Sequence, residues 1–176
     1  VLACDTVYNP TRRFLAGTLA RFGVTARYFD PADTAEAIRA MITPATRVIF
    51  LESPGSLTFE MQDIPAIAAM AHDVGVLTVI DNTWSAGVLF KPLDHGVDVS
   101  IQSLTKYVCG HSDVFMGLAA AKGHAAELLA ASSYETGWAV SPDDAYMAIR
   151  GLRTLHTRLA HHGAAALQVA EWLEHQ

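Results

Sequence analysis

Short apolar runs alternate with segments of helical spacing along the first 121 residues of the chain. Six runs of strand type occur, at residues 1–4, 26–29, 46–51, 77–80, 98–102 and 115–121. Between them, apolar residues recur at helical intervals in residues 11–22, 33–41 and 64–73. Strands joined by helical crossovers are typical of βαβ units, in which helices cover both faces of a parallel sheet. The pattern therefore predicts an α/β fold, a three-layer sandwich with a mostly parallel sheet.

Polar residues and glycines indicate where the predicted helices begin and end. Asp33 and Asp63 precede two helical segments at positions where an N-cap carboxylate is favoured, and Pro65 lies in the first turn after Asp63. Gly23 and Gly75 follow two segments at the position where a left-handed glycine commonly ends a helix.

The last part of the chain has a different pattern. From residue 143 to about residue 174 the apolar residues keep helical spacing almost without interruption, although Gly151 and Gly163 could bend or divide such a helix. We expect residues 1–142 to belong to an α/β domain and residues 143–176 to form a long helix leading toward a further domain. The chain begins with Val in a predicted strand and ends within the helical pattern, which predicts an internal part of a longer protein.

Composition excludes several classes of function. The chain is 51% hydrophobic and 17% charged, with a net charge of −6, so it has no basic surface for nucleic acid or an anionic membrane. No run approaches the roughly 18 apolar residues of a membrane span. The two cysteines, Cys4 and Cys109, lack the spacing of a metal site, which favours a reduced, cytoplasmic protein.

Two chemically distinctive residues follow predicted strands. Asp81 comes directly after the run at 77–80, where ligands gather in open α/β sheets, and Lys106 lies in the run Ser103-Leu104-Thr105-Lys106-Tyr107. Alone, Asp81 could be a turn residue and Lys106 a surface lysine. Together they are the groups that pyridoxal phosphate requires: an amine for a Schiff base, hydroxyls for the phosphate, and a carboxylate that keeps the ring nitrogen protonated.

Other polar residues have weaker interpretations. Tyr8 follows the first predicted strand, where its ring could stack on a pyridine or simply pack at the turn. His111 and Asp113 offer only two metal ligands in a polar turn, so no metal site is predicted. No GxGxxG or P-loop string supports a nucleotide-binding domain.

The ordered motifs resemble the Cys/Met-metabolism family of pyridoxal-phosphate enzymes, which has the aspartate-aminotransferase fold (fold type I). The resemblance covers nearly the whole chain and rests on Tyr8-x-x-Thr11, Glu52-Ser53-Pro54-Gly55, Asp81-Asn82-Thr83, Ser103-x-Thr105-Lys106-Tyr107, Gly110-His111-Ser112-Asp113 and Arg150-Gly151-Leu152-Arg153-Thr154-Leu155.

The resemblance implies a role for each site residue. Lys106 would bind pyridoxal 5'-phosphate covalently and act as the catalytic base, and Asp81 would pair with the ring nitrogen. Ser103 and Thr105 would contact the phosphate. Tyr8 would stack on the ring and assist catalysis at the substrate amine or leaving group. Residues 1–142 would then be part of the cofactor-binding large domain, and residues 143–176 would lead toward a small domain.

The loops at Glu52-Ser53-Pro54-Gly55-Ser56 and after Asp81 resemble the members that cleave L-cystathionine by β-elimination to homocysteine, pyruvate and ammonia. A γ-lyase, γ-synthase or sulfhydrylase of the same family, or a non-catalytic regulatory module, remains an alternative. The resemblance also implies a small sulfur amino acid as substrate and a homotetramer built from dimers that share active sites. The remaining cofactor and substrate ligands would lie outside the chain, so we expect little activity from these 176 residues alone.

Overall fold

A six-stranded sheet forms the centre of the fold in the computed structural model, which describes all 176 residues. The strands are β1 (Leu2–Cys4), β2 (Arg27–Phe29), β3 (Val48–Glu52), β4 (Leu77–Asp81), β5 (Val99–Ser103) and β6 (Gly117–Ala121). Their order in the sheet is β2-β1-β3-β4-β5-β6, and β1 to β5 pair in parallel. The predicted mostly parallel sheet is confirmed, with each strand within two residues of its predicted bounds.

Six α-helices accompany the sheet: α1 (Asn9–Arg13), α2 (Ala35–Ala40), α3 (Ile64–Asp73), α4 (Gly123–Thr136), α5 (Pro142–Leu152) and α6 (Leu155–Glu174). Helix α1 continues through a π-helical turn at Phe14–Thr18 and a 3-10 turn at Leu19–Phe22, so the predicted segment 11–22 is helical but irregular. None of the helices combines the length and apolar character needed to cross a membrane.

Helix boundaries correct three details of the sequence prediction. Asp63 caps α3 by accepting the Ala66 N–H, as predicted, but α2 is capped by Thr34 rather than by Asp33. Asp33 instead accepts the N–H of Asp30 in the preceding turn. The long C-terminal helix is divided after Gly151, whereas Gly163 lies within continuous α6. Helix α4 was not predicted at all.

The chain divides into two compact units. The first contains residues 1–102 and 119–137, and its core is built from alternate residues of the strands, such as Ile49, Leu51 and Ile80, with the buried face of α3. The second contains residues 103–118 and 138–176. These units do not coincide with segments 1–142 and 143–176, whose assignment to two domains stays a prediction.

Candidate functional site

Two carboxylates end neighbouring strands of the first unit. Glu52 is the last residue of β3 and Asp81 the last residue of β4, and the two are partners in the parallel register. The Asp81 side chain is half-buried, and its Oδ1 accepts hydrogen bonds from the Thr83 amide at 3.0 Å and the Thr83 hydroxyl at 2.6 Å. Both bonds go to Oδ1, so Thr83 holds this carboxylate from one side.

Glu52 is in a different environment from Asp81. Only 5% of it is exposed, and its Oε2 accepts the backbone N–H of Tyr8 at 2.7 Å. The pKa of Glu52 is raised to about 7, mainly by burial and to a smaller extent by the negative charge of Asp81, while the Tyr8 hydrogen bond acts in the opposite direction. Glu52 therefore exchanges its proton near neutral pH.

Tyr8 lies in the turn between β1 and α1, where it is the N-cap residue of the helix. Its ring is about half exposed, at 48% of the residue's accessible surface. The loop after β3 lies against the same turn, because the Ser56 amide donates to the Thr6 carbonyl at 2.8 Å. A Cβ on Gly55 would come within 2.7 Å of the Thr6 Cβ, so this close approach requires glycine. Glu52 and the loop that follows it thus fix the position of Tyr8.

The turn after β5 contains Lys106 and belongs to the second unit. The Lys106 amide donates to the Ser103 carbonyl at 3.1 Å, and the Lys106 carbonyl accepts the Gly110 amide at 2.9 Å. This compact turn leaves the Lys106 side chain exposed and that of Ser103 half-buried. The Thr105 hydroxyl donates to the Met116 carbonyl at 3.3 Å and accepts the Met116 amide at 2.9 Å, so it closes the backbone between the turn and the segment before β6.

A single guanidinium fixes the end of this turn. Arg158 of α6 donates to the carbonyls of Tyr107 and Val108 and also to the carbonyl of Gly151 at the end of α5. Gly151 packs so closely that a Cβ would overlap the Val108 carbonyl and come within 3.0 Å of the Cys109 Cα. The Lys106 turn is therefore built against the junction of α5 and α6.

The structure distributes the predicted site residues over both units. Tyr8 and Asp81 lie in the first unit, where Glu52 links them, and Ser103, Thr105 and Lys106 lie in the second. No group of three or more His, Cys, Asp or Glu side chains is arranged to hold a metal ion.

Sequence reasoning quoted Glu52 only as part of a motif and gave it no role. The signal was nevertheless present, because Glu52 ends an apolar strand in the same way as Asp81 does. Asn82 was also missed. It is buried, its side-chain amide donates to the Phe90 carbonyl, and its Oδ1 accepts no hydrogen bond.

The mostly parallel six-stranded sheet with its helices is the fold of fold type I pyridoxal-phosphate enzymes. The side chains fit this cofactor, because an oriented carboxylate, a primary amine and hydroxyl groups match its ring nitrogen, aldehyde and phosphate. The chain belongs to the Cys/Met metabolism family of pyridoxal-phosphate-dependent enzymes, whose family model matches residues 1–176. Pyridoxal phosphate is the cofactor of this family.

Individual relatives include lyases of two kinds. The chain is 47% identical to the cystathionine beta-lyase MetC of Escherichia coli over 98% of the chain and 44% of that protein. It is 46% identical to a putative cystathionine beta-lyase of Rhizobium johnstonii over 98% of the chain and 43% of that protein. A crystal structure of cystathionine gamma-lyase from Lactobacillus plantarum, complexed with L-serine, matches 98% of the chain with a TM-score of 0.93 and 34% identity, over 46% of that chain.

The chain spans about half the length of the curated relatives it matches.

Proposed function

We propose that the protein cleaves L-cystathionine by β-elimination, using pyridoxal phosphate, and that water completes the reaction to homocysteine, pyruvate and ammonia. The main support is the identity of 46–47% to two relatives named as a cystathionine beta-lyase or a putative one, across 98% of the chain. The loop Glu52-Ser53-Pro54-Gly55, which resembles the β-eliminating members of the family, is further support.

Lys106 and Asp81 have the central roles in this proposal. The Lys106 Nζ would hold the cofactor covalently, and as a free amine it would take the proton from the substrate Cα. One amine thus performs both tasks from one position, which removes the need to bring in a separate base. Asp81 would keep a proton on the ring nitrogen, while Thr83 holds the carboxylate by its Oδ1. The bound cofactor supplies an electron sink beside the substrate Cα.

The remaining residues orient the cofactor and the substrate. Tyr8 stacks on the ring and assists at the substrate amine or the leaving sulfur. Ser103 and Thr105 donate hydrogen bonds to the phosphate. Because the Thr105 hydroxyl has one proton and donates it to Met116, its phosphate contact requires that proton to turn away from the Met116 carbonyl.

Product analysis tests the proposed reaction. The full-length protein, loaded with pyridoxal phosphate, is incubated with L-cystathionine, and the keto acids and thiols are separated by chromatography and identified by mass. We expect pyruvate and homocysteine in equal amounts, and neither product from the Lys106→Ala variant. If cystathionine is not consumed, or if other products form, the proposed β-elimination is contradicted.

A second candidate is γ-elimination from the same substrate. The structural likeness to cystathionine gamma-lyase, with a TM-score of 0.93 and 34% identity, supports it. The same assay distinguishes the two reactions, because γ-elimination gives 2-oxobutyrate and cysteine instead of pyruvate and homocysteine.

The assembly and location of the whole protein are also proposals. We infer a cytoplasmic homotetramer composed of two dimers that share active sites, with a small sulfur amino acid as the substrate. Membership of the Cys/Met metabolism family supports this assembly. Sedimentation velocity on the protein measures the assembly directly, and a monomer at micromolar concentration would contradict it.

A further inference from the structure

Glu52 is a buried acid without a salt bridge. It is 5% exposed, and neither ion pair of the structure includes it. Its one side-chain hydrogen bond is with the Tyr8 amide, at 2.7 Å. A buried carboxylate that has only one donor is costly, so its presence at the end of an otherwise apolar strand calls for a role beyond packing.

The hydrogen bond lies at a point where it controls the direction of the chain. Tyr8 is the N-cap residue of α1, with backbone angles φ −48° and ψ 131°, and no side chain caps this helix end. Because the Tyr8 amide is fixed by Glu52, the direction of the Tyr8 Cα–Cβ bond is fixed as well. The ring position therefore depends on a residue 44 positions later in the sequence.

We propose that Glu52 is a positioning residue for Tyr8, and that its carboxylate holds the Tyr8 backbone in the orientation that the cofactor ring requires. This inference rests on the proposed role of Tyr8 as the residue that stacks on the ring. Glu52 does not touch the substrate in this proposal and acts only through Tyr8.

Protonation of Glu52 weakens this control. An ionised acceptor makes a shorter and stronger hydrogen bond to an amide than a neutral one does. The other titratable groups whose charges reach Glu52 are Asp81 on β4 and the Cys4 thiol on β1. Burial raises the pKa of Cys4, so the thiol stays neutral while Glu52 titrates. Asp81 is therefore the only nearby charge that influences Glu52 at neutral pH.

The backbone amide of Tyr8 provides a direct test that does not depend on activity. The protein without cofactor is labelled with ¹⁵N-tyrosine, which gives one amide signal for each of the five tyrosines. Loss of one signal in the Tyr8→Phe variant assigns Tyr8. We expect its chemical shifts to change between pH 5 and pH 9 with a midpoint near the Glu52 pKa of about 7. A Tyr8 amide shift that is constant over this range would overturn the proposal.

Three variants separate positioning from general stability. Glu52→Gln retains an acceptor oxygen at the same distance but cannot ionise, so the Tyr8 amide signal should become independent of pH. Glu52→Asp keeps the charge but is shorter by one methylene, so the signal should move toward that of an unbonded amide. Glu36→Gln, on the exposed side of α2, is the matched control and should titrate like the wild type. A titration that persists unchanged in Glu52→Gln would overturn the proposal.

Loading with cofactor separates this inference from the proposed function. A protonated ring nitrogen paired with Asp81 offsets the charge that raises the pKa of Glu52, so the midpoint of the Tyr8 titration should move to lower pH. If the midpoint is unchanged while the apoprotein titrates as expected, Glu52 positions Tyr8 but the assigned role of Asp81 is wrong. If the apoprotein does not titrate but the product assay succeeds, the positioning role fails and the proposed function stands.

Discussion

Glu52 and Asp81 end adjacent strands, yet their carboxyl groups are buried to different extents. Glu52 is almost fully enclosed, and its pKa is raised to about 7, whereas Asp81 is half-buried and hydrogen-bonded to Thr83. A raised pKa in an acid means that the folded state binds the proton more tightly than the unfolded chain does. Ionisation of Glu52 at neutral pH therefore lowers the free energy of unfolding. A purely structural role would not explain why an ionisable residue is kept at this position.

The cost can be measured as a dependence of stability on pH. The pKa of Glu52 is about 7 in the folded protein against a model value of 4.5, so the folded state holds the extra proton between these values. The free energy of unfolding should fall as pH rises through that range, by about 3 kcal/mol from this residue. Glu52→Gln lacks this loss, so its free energy of unfolding relative to wild type should rise by about 3 kcal/mol between pH 4.5 and pH 8.

Urea unfolding at several pH values tests this prediction. Glu36→Gln is the control, and its difference from wild type should change much less because Glu36 is on the exposed part of a helix. A parallel change in both variants would show that the effect does not come from burial of Glu52.

The amino-acid sequence indicates candidate site residues but not the electrostatic environment of each one. Asp81 and Lys106 are candidates from the sequence because each comes after an apolar run and the two chemical types suit one cofactor, and their roles stay predictions. The raised pKa of Glu52 could not be derived in the same way, because it depends on burial, on the Tyr8 turn and on the charge of Asp81. These residues are distant in sequence, and only the folded chain brings them together.

At the level of elements, the junction between α5 and α6 explains why the C-terminal helical pattern is interrupted. Gly151 packs against the backbone of Val108 and Cys109, and the helix ends at Leu152, one residue later. Apart from its own stretch of helix, nothing lies within 4 Å of where a Cβ of Gly163 would be, and α6 passes through it unbroken. Two glycines in one helical pattern thus have opposite roles.

This contrast predicts opposite effects of the same substitution. Gly151→Ala should lower the free energy of unfolding by about 2 kcal/mol or more, because the methyl group meets backbone that cannot move aside easily. Gly163→Ala should raise it by about 0.5–1 kcal/mol, because alanine loses less backbone entropy in a helix. Thermal and urea unfolding of the two variants would measure both effects. Similar changes in the two variants would contradict the packing assigned to Gly151.

Strands were predicted more accurately than helices. Apolar runs between polar turns mark all six strands, including β6, whose residues are exposed or half-buried. Helix α4 was missed because only Ala125 of its residues is buried, so its sequence lacks a strong apolar stripe. Asp33 and Thr34 are adjacent and both suit an N-cap, so sequence alone could not decide between them. The choice depends on the turn at Asp30, which uses the Asp33 carboxylate.

For the molecule as a whole, the repeated strand and helix pattern indicated the fold class, and the order of the motifs indicated the family. The strand order and the division into two units could not be derived, because they depend on which apolar surfaces meet in three dimensions. The division assigns Asp81 and Lys106 to different units, although Asp81 ends β4 and Lys106 follows β5, the next strand along the chain.

Covalent labelling tests whether the folded protein selects Lys106. The chain contains three lysines, Lys91, Lys106 and Lys122. After incubation with pyridoxal phosphate and reduction with borohydride, we expect a single pyridoxyl adduct on the peptide that contains Lys106. The Lys106→Arg variant should retain the positive charge and lose the adduct. Comparable labelling of all three lysines would contradict the assignment of Lys106 as the cofactor lysine.

The guanidinium of Arg158 also has a consequence for how the protein is made. It bonds to the Tyr107 and Val108 carbonyls from a position 51 and 50 residues later in the chain. At about 5–20 residues per second, the ribosome adds Arg158 roughly 3–10 seconds after it has added the turn that contains Lys106. During that interval the nascent Lys106 turn lacks the contacts that complete it. Lys106 can therefore reach its final surroundings only after α6 has begun to emerge from the ribosome.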